Sequence, residues 1–344
     1  MSTIKVTGKR DATYLPVSIA ILIPCYNEAL TIGEVVRLFS AQVPTADIYV
    51  FDNNSSDGTA EEARRSGAIV SFEQRQGKGY VVQSMFRRVD ADVYVMVDGD
   101  GTYPAEAIDS LIAPILRGEA DMVVGSRWHA DSHSEFKQLN RWGNRLVLGA
   151  LNSIFKVNLT DILSGYRAFS RGFVKSLPLF GGGFEIETEL TIKAVARGYR
   201  ILEVPVRLTH RPEGSHSKIR FFRDGLIILN TILALFRDYK PLTFFGSIGL
   251  ALLTIALLSG LLAVFGFSGS RNGPSLYAAV LAVGLVLCGL LSFTVGLVLH
   301  SIARRSQEFE HHLLLLADRQ GYDHTPRQPA AAELAAKVGA QHQG

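Results

Sequence analysis

Residues 95–106 read V-M-V-D-G-D-G-T-Y-P-A-E, which sets Asp98 and Asp100 two positions apart at the end of an apolar run. In an extended chain, side chains two apart point to the same side, so both carboxylates can converge while Gly99 and Gly101 let the backbone bend. Converging carboxylates repel, and a divalent cation relieves that repulsion. Mg²⁺ or Mn²⁺ typically takes one or two carboxylates and fills the rest of its shell with water and substrate phosphates. A calcium loop is excluded: Asp98, Asp100 and Asp109 fall at loop positions one, three and twelve, but position six is Tyr103 rather than glycine, and Pro104 follows.

The elements that must position this pair follow from the surrounding pattern. Between Val17 and about His210, short β-rich runs alternate with amphipathic stretches. S-I-A-I-L-I-P, D-I-Y-V-F-D, A-I-V-S-F-E, D-V-Y-V-M-V-D and D-M-V-V-G-S predict buried strands, and the segments opening at Glu28, Asp57, Gly77 and Pro104 predict helices. This βαβα order predicts an α/β domain with a mostly parallel sheet, whose ligands bind beyond the carboxyl ends of the strands. P-C-Y-N-E after the first strand, D-N-N-S-S-D-G-T after the second and D-G-D-G-T-Y-P after the fourth all belong to that edge.

The C-terminal part has another character. Leu242 to Phe267 runs 26 residues without a charged side chain, and Ser275 to Ala303 is interrupted only by His300. A membrane crossing needs about 20 apolar residues, so the two runs predict a transmembrane hairpin over about 242–267 and 275–303. The competing reading is a pair of buried core helices. Lys218, Arg220, Arg223, Arg237 and Lys240 precede the first run, Arg304 and Arg305 follow the second, and the turn holds only Arg271. The positive-inside rule then puts both ends in the cytoplasm. V-S-I-A-I-L-I-P is too short to span, and no cleavable leader pattern precedes it, so the N-terminal domain is expected in the cytoplasm as well.

Residues 217–240, apolar in the middle and charged at the ends, predict amphipathic helices at the membrane interface, with a last core helix as the alternative. This divides the chain into an arm (1–16), an α/β domain (17–216), interfacial helices (217–240), a hairpin (241–303) and a cytoplasmic tail (304–344) whose alanine- and glutamine-rich end has little to bury. Cys25 and Cys288 are poorly placed for a framework disulfide. A net charge of +3 on 344 residues argues against nucleic acid, and the basic residues beside the spans suit anionic lipid.

The ordered set P-C-Y-N-E, F-D-N-N-S-S-D-G-T, Q-G-K-G-Y, D-G-D-G-T-Y-P, G-S-R, S-G-Y-R-A-F-S-R, G-G-G-F-E-I-E-T-E-L and R-P-E-G-S-H-S-K, over about residues 17–220, resembles glycosyltransferase family 2 in its polyprenyl-phosphate branch. The resemblance implies a GT-A-type, Rossmann-like domain. It makes Pro24, Tyr26 and Glu28 nucleotide-binding and Asp52 the acid that contacts the base. Asp98 and Asp100 become metal ligands for Mg²⁺ or Mn²⁺. Arg127, Arg167, Arg211 and Lys218 match cations directed at donor and acceptor phosphates, and Lys78 falls near them. Glu185 and Glu187 lie in a region the family puts near the donor sugar; a helix-start role for both is the alternative. Two departures stand out: Asn53 and Asn54 replace a second aspartate and a glycine of many relatives, and Thr102 replaces the glutamine of mannose synthases.

The activity implied is metal-dependent, inverting transfer of one sugar from a UDP- or GDP-linked donor to polyprenyl phosphate at the cytoplasmic face of a bacterial-type inner membrane. A phosphate monoester has its second pKa at about 6, so the acceptor is already a nucleophilic dianion and needs no general base. Relatives of this kind form oligomers, which leaves a homo-oligomer open. Two other functions remain: a processive polysaccharide synthase, since Gln138 to Trp142 spells Q-x-x-R-W, and a membrane-anchored sugar-nucleotide-binding protein without turnover. The first is disfavoured because two spans are too few to line a polymer channel, the second because both acids of the pair are retained.

Overall fold

The computed structural model describes residues 17–127, 148–149, 151–183, 185–209, 221–267 and 274–319. These fall into two compact units, one up to residue 209 and one from Phe221 onward.

The first unit is built on seven strands: β1 (Ile19–Cys25), β2 (Asp47–Asp52), β3 (Ile69–Phe72), β4 (Val93–Met96), β5 (Met122–Ser126), β6 (Arg167–Ser170) and β7 (Ile201–Pro205). They form one sheet in the order β3-β2-β1-β4-β6-β5-β7. All neighbours run parallel except β6, which is antiparallel to both β4 and β5. The helices are α1 (Ile32–Gln42), α2 (Thr59–Arg65), α3 (Lys78–Arg88), α4 (Ile108–Leu116), α5 (Arg171–Ser176) and α6 (Ile186–Ala196).

The central strands read as unbroken apolar runs because both faces are covered. Ile19, Ile21 and Ile23 of β1 join a core with Val35, Val36 and Phe39 of α1 and Ile108, Leu111 and Ile112 of α4. Ala20 and Leu22 face the opposite core, with Val81, Val82 and Met85 of α3 and Leu190 of α6. Each fully buried Leu or Ile contributes about 1.5–3 kcal/mol, so the two layers fix β1 and β4 side by side.

The five expected strands form. β6 and β7 are additional, and the sheet is mostly parallel as expected, with β6 its one antiparallel strand among the described residues. Helices begin later than the polar motifs suggest: α1 starts at Ile32 instead of Glu28. Asn27 stands in the left-handed region at φ 53°, and Glu28 O accepts from both Thr31 N (3.0 Å) and Ile32 N (2.9 Å), so a tight turn precedes the regular helix.

The second unit contains α7 (Phe221–Tyr239), α8 (Pro241–Phe267) and α9 (Pro274–Arg319). Pro241–Phe265 and Leu276–Ser306 are long and apolar enough to cross a membrane, and only 11% and 6% of their most apolar windows are buried. Leu257, Leu262 and Leu291 turn outward, which sets these helices apart from the core helices of a soluble domain. α8 and α9 approach closely at paired glycines, where a Cβ on Gly249 would meet Gly289 O at 2.9 Å, and Ser292 Oγ donates to Phe245 O at 2.9 Å. Small residues permit such backbone contact between apolar helices. The expected interfacial segment is a single helix over its described residues.

Candidate active site

The three motifs meet at the carboxyl edge of β1, β2 and β4. Asn53 N donates to Cys25 O at 2.9 Å, and Val97 N to Leu22 O at 3.1 Å. The first two loops staple each other. Asn27 N donates to Ser55 Oγ (2.9 Å), Glu28 N to Thr59 Oγ1 (2.9 Å) and Ala29 N to Asp57 Oδ2 (3.0 Å), while Asn27 Oδ1 accepts from Ser56 N (2.9 Å). Burial works against the Asp57 charge, but hydrogen bonds from Thr59 and Ala29 hold its pKa below the usual value. Pro24 lies in β1 beside Phe51, and Tyr26 stands 41% exposed at the rim.

Asp52 ends β2 and is buried; its Oδ2 accepts from Ser55 N, and among the described residues no donor reaches the buried Oδ1. A buried carboxylate oxygen without a donor is unfavourable, and its position at a strand end suits an N–H from a ligand. Asn53 is a clamp: Nδ2 donates to Glu73 O (2.9 Å) and Arg75 O (2.8 Å), and Oδ1 accepts from Gly77 N (2.7 Å). Asn54, at φ 62°, donates to Gln74 O. Both asparagines therefore hold the loop that leads into α3, a task that needs amide donors, which neither aspartate nor glycine has in its side chain.

β4 ends at Met96, so Asp98 and Asp100 lie in the turn beyond it instead of continuing the strand. Gly99 is required there because a Cβ would meet Cys25 Sγ at 2.6 Å, and Gly101 has φ 73°. Asp100 is buried and its Oδ1 accepts from Thr102 Oγ1 (2.6 Å) and Thr102 N (3.1 Å). Asp98 Oδ1 accepts from Lys78 Nζ at 2.6 Å, and the same ammonium reaches Glu187 Oε1 at 2.5 Å. Burial disfavours the Lys78 charge, but the Asp98 and Glu187 carboxylates outweigh it and hold its pKa above that of ordinary lysine.

The remaining candidates separate. Arg127 follows β5 and forks onto the buried Asp161, with Nε–Oδ2 at 2.6 Å, Nη2–Oδ1 at 2.9 Å and its own amide on Oδ2 at 3.1 Å. Burial works against its charge, while Tyr103 and Asp161 together keep its pKa raised. Arg167, expected to face a phosphate, is enclosed by protein on every side and donates to Ser164 O, Ile162 O and Thr191 Oγ1. The guanidinium thus lies within the core, where burial pulls its pKa down. Glu187 is held by Lys78, and Glu185 accepts from the Gly182 and Gly183 amides, so neither is explained by the helix start alone. Arg211, Lys218 and the Q-x-x-R-W segment lie outside the described residues.

Sequence reasoning passed over Asp161, Tyr103 and Gly165. Gly165 sits inside S-G-Y-R, and a glycine within a motif is the signal the sequence offers for it.

The donor chemistry fits a hard divalent ion. Among the described residues no group of three His, Cys, Asp or Glu stands together, so these residues offer the two carboxylates Asp98 and Asp100, a set that suits an ion completed by phosphate and water. The Asp98 carboxylate lies against Gly165, a cradle that a Cβ would fill.

Comparison with known proteins identifies the family. Residues 20–177 match the model of Glycosyl transferase family 2. Glycosyltransferase AglJ of Haloferax volcanii is 37% identical over 237 residues, covering 69% of this chain and 78% of the relative. An undecaprenyl-phosphate mannosyltransferase of Micrococcus luteus is 28% identical over 210 residues, covering 56% and 84%. Among solved structures, glucosyl-3-phosphoglycerate synthase of Mycobacterium tuberculosis, in complex with Mg²⁺ and UDP, superposes with a TM-score of 0.54 at 26% identity over 64% of this chain and 79% of that one. The chain thus belongs to glycosyltransferase family 2 and is a glycosyltransferase of GT-A fold.

Proposed function

We propose that the protein moves one sugar from a nucleotide-diphosphate donor to a polyprenyl phosphate, with inversion, at the cytoplasmic face of a membrane. The observation that carries this reading is a paired-carboxylate site in a chain that also holds two outward-facing apolar helices of spanning length. The Micrococcus luteus relative, whose name gives undecaprenyl phosphate as its acceptor, supports it. Basic residues flanking the apolar runs support cytoplasmic ends.

In this reading Pro24, Tyr26 and Glu28 line the nucleoside side, and Asp52 Oδ1 accepts an N–H of the base. Asp98 and Asp100 would hold Mg²⁺ or Mn²⁺. That ion supplies neutralising charge to the departing diphosphate. Lys78 delivers a second positive charge to the same place, already fixed by two carboxylates, so little reorganisation is needed when charge develops. Arg127, with its fork held on Asp161, presents its outer N–H groups to a phosphate. The acceptor dianion attacks the anomeric carbon directly, and a single displacement inverts it. Glu187 orients Lys78 and takes no proton in this scheme.

The test is a panel of UDP- and GDP-sugars offered to the purified chain with undecaprenyl phosphate in detergent, with Mn²⁺, with Mg²⁺ or with chelator. One sugar nucleotide should give a lipid-phosphate sugar of inverted anomeric configuration, and chelator should abolish it. Release of free sugar alone would indicate a hydrolase, and binding without turnover a scaffold; either result sinks the reading.

A further inference from the structure

We propose that segment 161–167 is a seat for the Asp98 carboxylate, in which Gly165 sets where the carboxylate stands and Arg167, from inside the core, holds the seat in place. This rests on the reading of Asp98 as a donor-site carboxylate.

The contact is specific. A Cβ on Gly165 would meet Asp98 Cγ and Oδ1 at 2.7 Å and Oδ2 closer still, and these are its three nearest atoms. Gly165 is not among the glycines with positive φ, so its backbone gives no separate reason for glycine. What the missing side chain provides is room for Asp98.

The seat is anchored on three sides. Gly165 N donates to Tyr103 Oη at 3.0 Å, and Ser164 Oγ donates to Gly125 O at 2.6 Å. Arg167 then ties Ser164 O (2.8 Å) and Ile162 O (2.7 Å) to Thr191 Oγ1 (2.8 Å) on α6. Thr191 Oγ1 in turn donates to Glu187 O at 2.8 Å. Because Glu187 holds Lys78 and Lys78 holds Asp98, the chain of contacts closes on itself: Asp98, Lys78, Glu187, Thr191, Arg167, Ser164, Gly165 and back to Asp98. One planar fork spanning acceptors on two elements is a task for guanidinium that an ammonium cannot match. Arg167 is thus a positioning residue, acting on Asp98 through the seat and through Glu187.

The experiment compares the full-length parent with Gly165→Ala, Thr191→Val and Thr191→Ser. It reads thermal midpoint, kcat and KM for transfer, and Mn²⁺ binding in the presence of UDP from the paramagnetic resonance of free Mn²⁺. An ordinary contact begins at 3.4 Å, so an alanine pushes the short Asp98 side chain back on the order of 1 Å. Gly165→Ala is expected to melt with the parent, to lose about 10²-fold in kcat/KM, mostly in kcat, and to bind Mn²⁺ about tenfold more weakly. Thr191→Val should show the same pattern more weakly, with Thr191→Ser restoring the parent.

Parental turnover and Mn²⁺ affinity in Gly165→Ala would overturn the proposal, as would losses that only track the thermal midpoint. Thr191→Val behaving like Thr191→Ser would remove Arg167 from it. A parent without sugar transfer in which Gly165→Ala still weakens Mn²⁺ binding would refute the reaction and support the seat.

Discussion

Where β1 and β2 end, mostly neutral groups hold the loops: serine, threonine and asparagine side chains bond to backbone amides and carbonyls across a few ångströms, and the Asp57 and Asp52 carboxylates add one backbone amide each from Ala29 and Ser55. Where β4 and β6 meet, charges do so: Lys78 between Asp98 and Glu187, Arg127 on Asp161, and Arg167 enclosed by carbonyls. Neutral hydrogen bonds keep a shape that is indifferent to what arrives. Ion pairs keep a charge ready to be shared with an incoming group, and they are costly to disturb because a partner is left buried alone. In the proposed reaction, that division matches a nucleoside, which needs shape, and a diphosphate, whose charge changes as its bond to the sugar breaks.

The strongest way to break the comparison is on the charged side. Asp100→Ala should reduce transfer by about 10³-fold or more, since several kcal/mol of charge stabilisation is removed, with the circular dichroism spectrum unchanged. Undiminished product in the lipid assay would end the assignment of that pair. Lys78→Met is next: it strands two carboxylates of 29% and 5% side-chain exposure and should cost about 3 kcal/mol in urea unfolding. Lys78→Met combined with Glu187→Gln should recover part of that loss, and strictly additive effects would mean that the pair does not act as a unit.

On the neutral side the effects are smaller. Asn53→Asp turns two donors into acceptors facing the Glu73 and Arg75 carbonyls, and the unfolding midpoint should fall by the equivalent of about 2 kcal/mol. A midpoint like the parent's would show that the clamp is not needed. Smallest is Glu73, charged but adjoining that clamp. The side-chain hydrogen bond from Arg75, with help from Ser84, lowers its pKa from 4.5 to about 2 against the effect of burial. A lowered carboxyl pKa gives stability that is present above about pH 4.5 and lost as pH falls through about 2. Glu73→Gln should therefore cost about 1 kcal/mol at neutral pH, with the gap to the parent closing as unfolding is measured at progressively lower pH. A gap that is constant from neutral to acid would contradict the Arg75 contact.

Much of the neutral half was legible. P-C-Y-N-E and D-N-N-S-S-D-G-T carry short polar side chains after apolar strands, and such residues bond to nearby backbone wherever a chain turns. The charged half was harder to read. Glu189 and Lys193 pair at 2.6 Å and stand at 4% and 2% exposure, a buried ion pair not anticipated from the sequence. Charge suggests solvent unless the partner is known. β6 and β7 escaped notice for related reasons, one being four residues with an arginine in its first position, the other a half-exposed edge strand that ends in proline.

From its residues alone, this protein specifies an alternating α/β order, the polar motifs at strand ends, a pair of acids suited to a divalent ion and two apolar runs of spanning length, because periodicity, turn chemistry and hydrophobicity are local properties of a chain. Which cation meets which carboxylate, that Arg167 is interior, and that Gly165 lies under Asp98 were decided only when the antiparallel β6 entered between β4 and β5. Those contacts join residues 20 to nearly 110 positions apart, as in Lys78 with Asp98 and Lys78 with Glu187. No local pattern encodes a pairing at that separation; burial and the requirement that each enclosed charge find a partner select it.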